Sequence, residues 1–193
     1  MINWKKAPNF KAKDFPEDPD LYSDPEILYA LQSYRTKINN PIIPSPVPGA
    51  LARFEGNTQS CHYVDTALNP IKKSSAVDIF VEGIPLNNLL VLMTTPEIRG
   101  IGVYLHTTGP DGKPWVMFHI DTRARGYTDK LPLVWVCEKA WKPVLQKRIN
   151  VYRYPQTLPA YWTLLQNESM YLDKRFGKDR IEPATIAGQN HND

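Results

Sequence analysis

With 193 residues, 42% of them hydrophobic and 22% charged, the chain fits one domain with appendages and enough length to bury a real core. A net charge of +3, with its lysines and arginines scattered rather than gathered, argues against a nucleic-acid partner. Leu86 to Met93, the most apolar later run, is too short to span a bilayer, and Met1 to Asp14 lacks the apolar run of a signal peptide, so a cytosolic origin and no membrane partner are expected.

Residues 1–22 read as irregular, with Phe10 and Phe15 as anchors onto the body. Ser23-Asp24-Pro25-Glu26 predicts a helix start: a capping residue, proline in the first turn and a glutamate placed for a capping box. Ile27, Leu28, Leu31, Tyr34 and Ile38 follow at helical spacing as a buried stripe, which Asn39-Asn40-Pro41 ends. Ile42-Ile43 begins a short strand, and residues 50–75 read mostly as loop. Ala76 to Val81 is a strand with Val77, Ile79 and Val81 on one side and Asp78 on the other. Leu86 to Thr94 reads as a second helix. Gly100 to Leu105 and Trp115 to Asp121 read as two strands joined through the turn signal Gly109-Pro110-Asp111-Gly112. Val116, Phe118 and Ile120 form the apolar face of the second of these, while Trp115, Met117, His119 and Asp121 share the other. Leu131 to Cys137 is a further strand or extended segment, Val151 to Tyr154 a short strand, and Ala160 to Leu172 a late helix before a mobile polar tail. An α+β domain with a small, mostly antiparallel sheet flanked by helices follows.

Cys61 and Cys137 form neither a disulfide framework nor a CxxC motif, so both are expected as thiols. Chemistry is suggested by Ser60-Cys61-His62-Tyr63, Ala76-Val77-Asp78-Ile79 and Phe118-His119-Ile120-Asp121, each of which places a His or Asp inside a β-type pattern. Two histidines and one carboxylate are a catalytic zinc set, because they leave the fourth position open. A carboxylate among Val77, Ile79 and Phe80 is costly to bury unless it is paired, hydrogen-bonded or coordinated. His119 and Asp121 are neighbours on one strand face. They suit a metal-binding imidazole beside a carboxylate that orients water or accepts a proton; the plain alternative is a surface pair with no chemistry.

In order, Ser45-Pro46-Val47-Pro48-Gly49, Arg53, Ser60-x-His62, Ala76-Val77-Asp78-Ile79, Gly100-Ile101-Gly102-Val103-Tyr104 and His119-Ile120-Asp121-x-Arg123 resemble the M15 zinc peptidases. These are the D-Ala-D-Ala carboxypeptidases and related peptidoglycan endopeptidases, including phage-borne ones, and the resemblance covers roughly residues 25–127. It implies a Hedgehog/D-Ala-D-Ala peptidase-like fold over 1–147 with a C-terminal extension over 148–193. It also implies His62, Asp78 and His119 as ligands to Zn2+, Ser60 as support for the first ligand loop, and Arg53 as the group that holds a carboxylate or polarises a carbonyl. Two departures stand out. Fifteen residues separate His62 from Asp78, with an insertion over Asp65 to Lys73 that can loop out at small entropic cost. Val116 stands where many relatives carry Glu or Asp as the base, which leaves Asp121, or failing it His106, as proton carrier.

The expected function is therefore zinc-dependent cleavage of a peptide bond in peptidoglycan by a phage protein, released at lysis or carried in the virion. The alternative is a virion structural protein on a degenerate peptidase fold. That reading would use the aromatics beyond the matched core, over about 128–193, to meet other virion proteins, chiefly through the C-terminal extension: Trp135, Trp141, Tyr152, Tyr154, Tyr161, Trp162 and Tyr171.

Overall fold

Asp24 starts the longest helix among the described residues, its carboxylate accepting the N–H of Glu26, with Pro25 in the first helical position. Because Asp24 is the capping residue, Glu26 falls one position too early to close the expected capping box. A computed structural model describes residues 1–82, 85–109, 111–112, 114–123 and 132–154. Within them the helices are α1 (Pro19–Tyr22), α2 (Pro25–Ile38) and α3 (Pro85–Met93). Asn39 ends α2 in the left-handed region at φ 48°, a conformation asparagine tolerates better than most residues. The first 22 residues are more regular than expected: 3-10 turns at Trp4–Lys6 and Ala12–Asp14 precede α1. Phe10 and Phe15 are buried as anchors, as the sequence suggests.

Among the described residues six strands form one sheet: β1 (Ile42–Pro44), β2 (Ala76–Val81), β3 (Gly100–Thr108), β4 (Pro114–Asp121), β5 (Leu133–Lys142) and β6 (Lys147–Arg153). Their order is β1-β2-β4-β3-β5-β6, and every pairing is antiparallel except β3 with β5. The architecture is α+β with a mostly antiparallel open sheet and few helices. β6 crosses the expected boundary at 147/148 and pairs with β5 along its whole length, from Val136↔Arg153 to Lys142↔Lys147. The expected helix over 160–172 and the tail lie outside the described residues. No helix among the described residues is long and apolar enough to cross a membrane.

Strand alternation sorts the side chains between two faces. Val77 and Ile79 of β2, Val116, Phe118 and Ile120 of β4, Ile101 and Val103 of β3, and Val134 and Val136 of β5 face the core with Ile27, Leu28 and Leu31 of α2 and Leu89 and Leu92 of α3. Each such fully buried aliphatic or aromatic side chain contributes about 1.5–3 kcal/mol. Val116 belongs to this core, so its position cannot carry a base. The opposite face holds the polar residues in register. Asp78 of β2 lies beside His119 of β4, then Gly102 of β3 and Trp135 of β5; in the next row Ala76, Asp121, Gly100 and Leu133 are neighbours.

Candidate metal centre

His119 is fixed by β4 at the centre of the sheet, and Asp78 by β2 beside it. His62 arrives on a loop whose shape comes from short-range bonds. Ser60 Oγ accepts the His62 N–H at 3.2 Å, Ser75 N–H donates to the Cys61 carbonyl at 2.9 Å, and Arg53 N–H donates to the His62 carbonyl at 2.8 Å. Residues 65–73 leave from and return to this stapled region, carrying Leu68 and Ile71 out into solvent.

The three side chains meet. His62 Nε2 lies 2.8 Å from His119 Nδ1 and 3.2 Å from Asp78 Oδ1, and His119 Nδ1 lies 3.1 Å from the same oxygen. All three residues are buried. Ligand atoms about 2.0–2.2 Å from a tetrahedral zinc stand roughly 3.3–3.6 Å apart, so a slight opening of this triangle admits the ion.

The outer bonds decide which ring nitrogens face inward. His62 Nδ1 lies 3.3 Å from the Leu51 carbonyl oxygen, which can only accept, so His62 Nδ1 carries the proton and Nε2 presents a lone pair. His119 Nε2 lies 3.2 Å from Asp121 Oδ2, which fixes the N–H there and turns the Nδ1 lone pair inward. With Asp78 Oδ1, three electron pairs converge on one point, an arrangement that calls for a cation or a proton. Arg53 completes the electrostatics from outside. Its Nη2 is 3.4 Å from Asp78 Oδ2 and its Nε donates to the Gly49 carbonyl at 2.7 Å, while about half of the side chain stays exposed.

A second set of donors shares His119 with the first. Cys61, His119 and Asp121 also place ligand-type atoms within 4.8 Å of one another. Asp121, at Nε2, lies across the ring from the His62–Asp78 side. Two glycines make the sheet face fit: a Cβ at Gly100 would stand 2.7 Å from Asp121 Cγ, and one at Gly102 would stand 2.6 Å from Trp135 Nε1. Trp135 uses that space to lie against His119, with ring centroids 5.1 Å apart, and its indole N–H donates to the Tyr104 hydroxyl. Burial, with the charge of Asp78 added, raises the Tyr104 phenol well above its usual range. Cys61, Trp135 and the Leu51 carbonyl are parts of the centre that motif reading does not single out. For Trp135 the available signal was Gly102, a residue with no side chain in the middle of a strand. His106 lies in β3, and its side chain falls outside the described residues, as do Trp141's side chain and the whole of Tyr161, Trp162 and Tyr171.

Burial disfavours charge on His119, but hydrogen bonds from its ring to Asp121 and Asp78, and one with Cys61, outweigh it and raise its pKa well above the usual 6.5. Burial likewise opposes ionisation of Asp78, and the two histidines overcome it and hold this carboxyl far below the usual range. The signs are opposite. The His119 contribution is complete below 6.5 and is lost as pH rises through its raised folded value, whereas that of Asp78 is present above 3.8 and is lost as pH falls towards its depressed one. The thermal midpoint of metal-free protein should thus fall as pH rises above about 6.5, and saturating zinc should flatten that limb by taking the place of the proton. A metal-free midpoint flat through this range would contradict the arrangement.

Comparison with family models, with curated proteins and with solved structures yields no match to this chain. The M15 resemblance accordingly rests on its short motifs, and the structure adds to them an α+β fold with a buried His/Asp/Cys cluster that can hold a metal ion.

Proposed function

We propose that the protein is a zinc-dependent hydrolase that cleaves a peptide bond in bacterial cell-wall peptide. The observation that carries this reading is the convergence of lone pairs from His62 Nε2, His119 Nδ1 and Asp78 Oδ1, with both tautomers set by outer acceptors. Two neutral imidazoles and one carboxylate suit zinc and leave room for a further ligand. Bound there, zinc supplies Lewis acidity and makes water a nucleophile near neutral pH. The motif order of the M15 peptidases supports the substrate class. Arg53, charged and half exposed beside Asp78, is placed to hold a substrate carboxylate or polarise a carbonyl. Trp135 shields one side of His119. We assign Asp121 to orienting His119, since it meets the nitrogen turned away from the convergence point, and keep His106 as the candidate proton carrier. Zinc-loaded protein incubated with cell-wall fragments should release new amino termini, and His119→Ala should release none.

The role of Asp121 has its own test. Asp121→Asn should weaken zinc binding by about 10–100-fold, as loss of an orienting carboxylate does. At saturating zinc its turnover should fall by much less than the roughly 100-fold or more typical of losing a general base. Unchanged zinc affinity with lost turnover would return Asp121 to the role of base.

One observation favours the scaffold reading. The position at which many M15 enzymes carry their base is here the core residue Val116. Bound zinc without hydrolysis of any cell-wall fragment would select that reading.

A further inference from the structure

We propose that Glu17, on the N-terminal segment before α1, is a positioning residue of the metal centre. The proposal rests on the reading of His62 and Asp78 as ligands. Glu17 Oε1 accepts the N–H of Gly49 at 2.6 Å, and Oε2 accepts those of Leu51 and Ala52, both at 3.1 Å. Backbone N–H groups gathered on one carboxylate form an anion nest, here turned inward on a side chain of the same protein. Gly49 lies at the turn with φ 85°, a conformation glycine adopts without strain.

The loop so held does three things for the centre. The Leu51 carbonyl accepts the His62 Nδ1 proton and thereby turns Nε2 towards Asp78. The Ala50 carbonyl accepts the Asp78 N–H at 2.9 Å, where β2 passes the loop. Arg53, at its end, reaches Asp78 Oδ2. Leu51 and Ala52 are buried, so without the carboxylate their N–H groups would lack an acceptor and the loop would move to find one. Glu17 touches none of the three ligands; it acts through Leu51, Ala50 and Arg53.

Asp20 offers a control from the same segment. It ties down the N-terminus by accepting the Ile2 N–H at 2.7 Å and the Trp4 indole N–H at 3.1 Å. In the full chain, zinc affinity measured by competition with a chelating dye should fall about tenfold in Glu17→Gln, the lower end for groups that orient a ligand. Asp20→Asn should stay within about twofold of wild type even where its thermal midpoint drops, since among the described residues its carboxylate bonds Ile2 and Trp4 and not the loop that carries His62. Wild-type affinity in Glu17→Gln, or an equal loss in both variants, would overturn the proposal. If Glu17→Gln does not fold, Glu17→Asp, too short to reach all three N–H groups, should show the same loss, and unchanged affinity there would overturn it.

Nitrogen-15 spectra of the histidines in metal-free protein keep this test separate from the metal reading. Wild type should hold His62 in the Nδ1–H form and Glu17→Gln should show a mixture; identical tautomer populations would overturn the role of Glu17. Wild type that takes up no zinc would instead overturn the proposed function.

Discussion

Asp78→Asn is expected to abolish tight zinc binding while leaving the metal-free protein folded. The substitution keeps shape and removes the only carboxylate in the triangle formed with His62 and His119. Asp78 Oδ1 sits 3.2 Å and 3.1 Å from the two inward nitrogens. An amide there loses the negative charge that the ion needs, and its NH2 group can donate to an inward imidazole lone pair and occupy it. The expected loss exceeds the 10–100-fold that removal of an orienting partner costs, so roughly 1,000-fold or more. The fold should survive because Val77 and Ile79, on the other face of β2, keep their packing. Zinc titration of the variant by calorimetry checks this. Retained affinity would mean that the ion is held elsewhere, with the Cys61 side of His119 the first place to look.

Gly100→Ala should have the second-largest effect, although glycine to alanine is the smallest of changes. Gly100 pairs with Asp121 across the β3–β4 ladder, and its missing Cβ is the space that the Asp121 carboxylate fills. Neither strand can retreat, because β3 and β4 are both interior to the sheet. The added methyl therefore drives the carboxylate off His119 Nε2. We expect an overpacking cost of about 1–3 kcal/mol in unfolding free energy and a 10–100-fold loss of zinc affinity from the freed imidazole. The double variant Gly100→Ala with Asp121→Ala separates the two effects, because it removes the clash without restoring the hydrogen bond. Its stability should recover relative to Gly100→Ala while its zinc affinity stays low. Failure of stability to recover would show that the collision is not the cause.

Motif reading picked out Asp78 and His119, which the structure brings together, for a physical reason. Period-two alternation in β4 separates Val116, Phe118 and Ile120 from His119 and Asp121 by sequence alone, and β2 does the same for Asp78. Helix α2 was equally legible, from its proline and its apolar spacing. What alternation cannot supply is the partner strand. The parallel pairing of β3 with β5 brings Trp135 into the row of Asp78 and His119, and no local pattern encodes it. The Leu51 carbonyl was out of reach because backbone atoms carry no residue signature. Glu17 was hidden because it stands 32 positions before Gly49 in the chain. The two nitrogens of His119 were likewise indistinct: neighbouring His119 and Asp121 are legible, but which ring nitrogen meets the carboxylate is a matter of coordinates.

Cobalt titration of metal-free wild-type protein tests the central claim most directly, because the two donor sets around His119 differ by one sulfur. An ion held by His62, Asp78 and His119 should saturate at about one per chain, with visible bands of a four- or five-coordinate site and no sulfur-to-cobalt charge transfer. A strong charge-transfer band that disappears in Cys61→Ser would place the ion on the donor set of Cys61, His119 and Asp121 instead, and no saturable binding at all would contradict the metal centre itself.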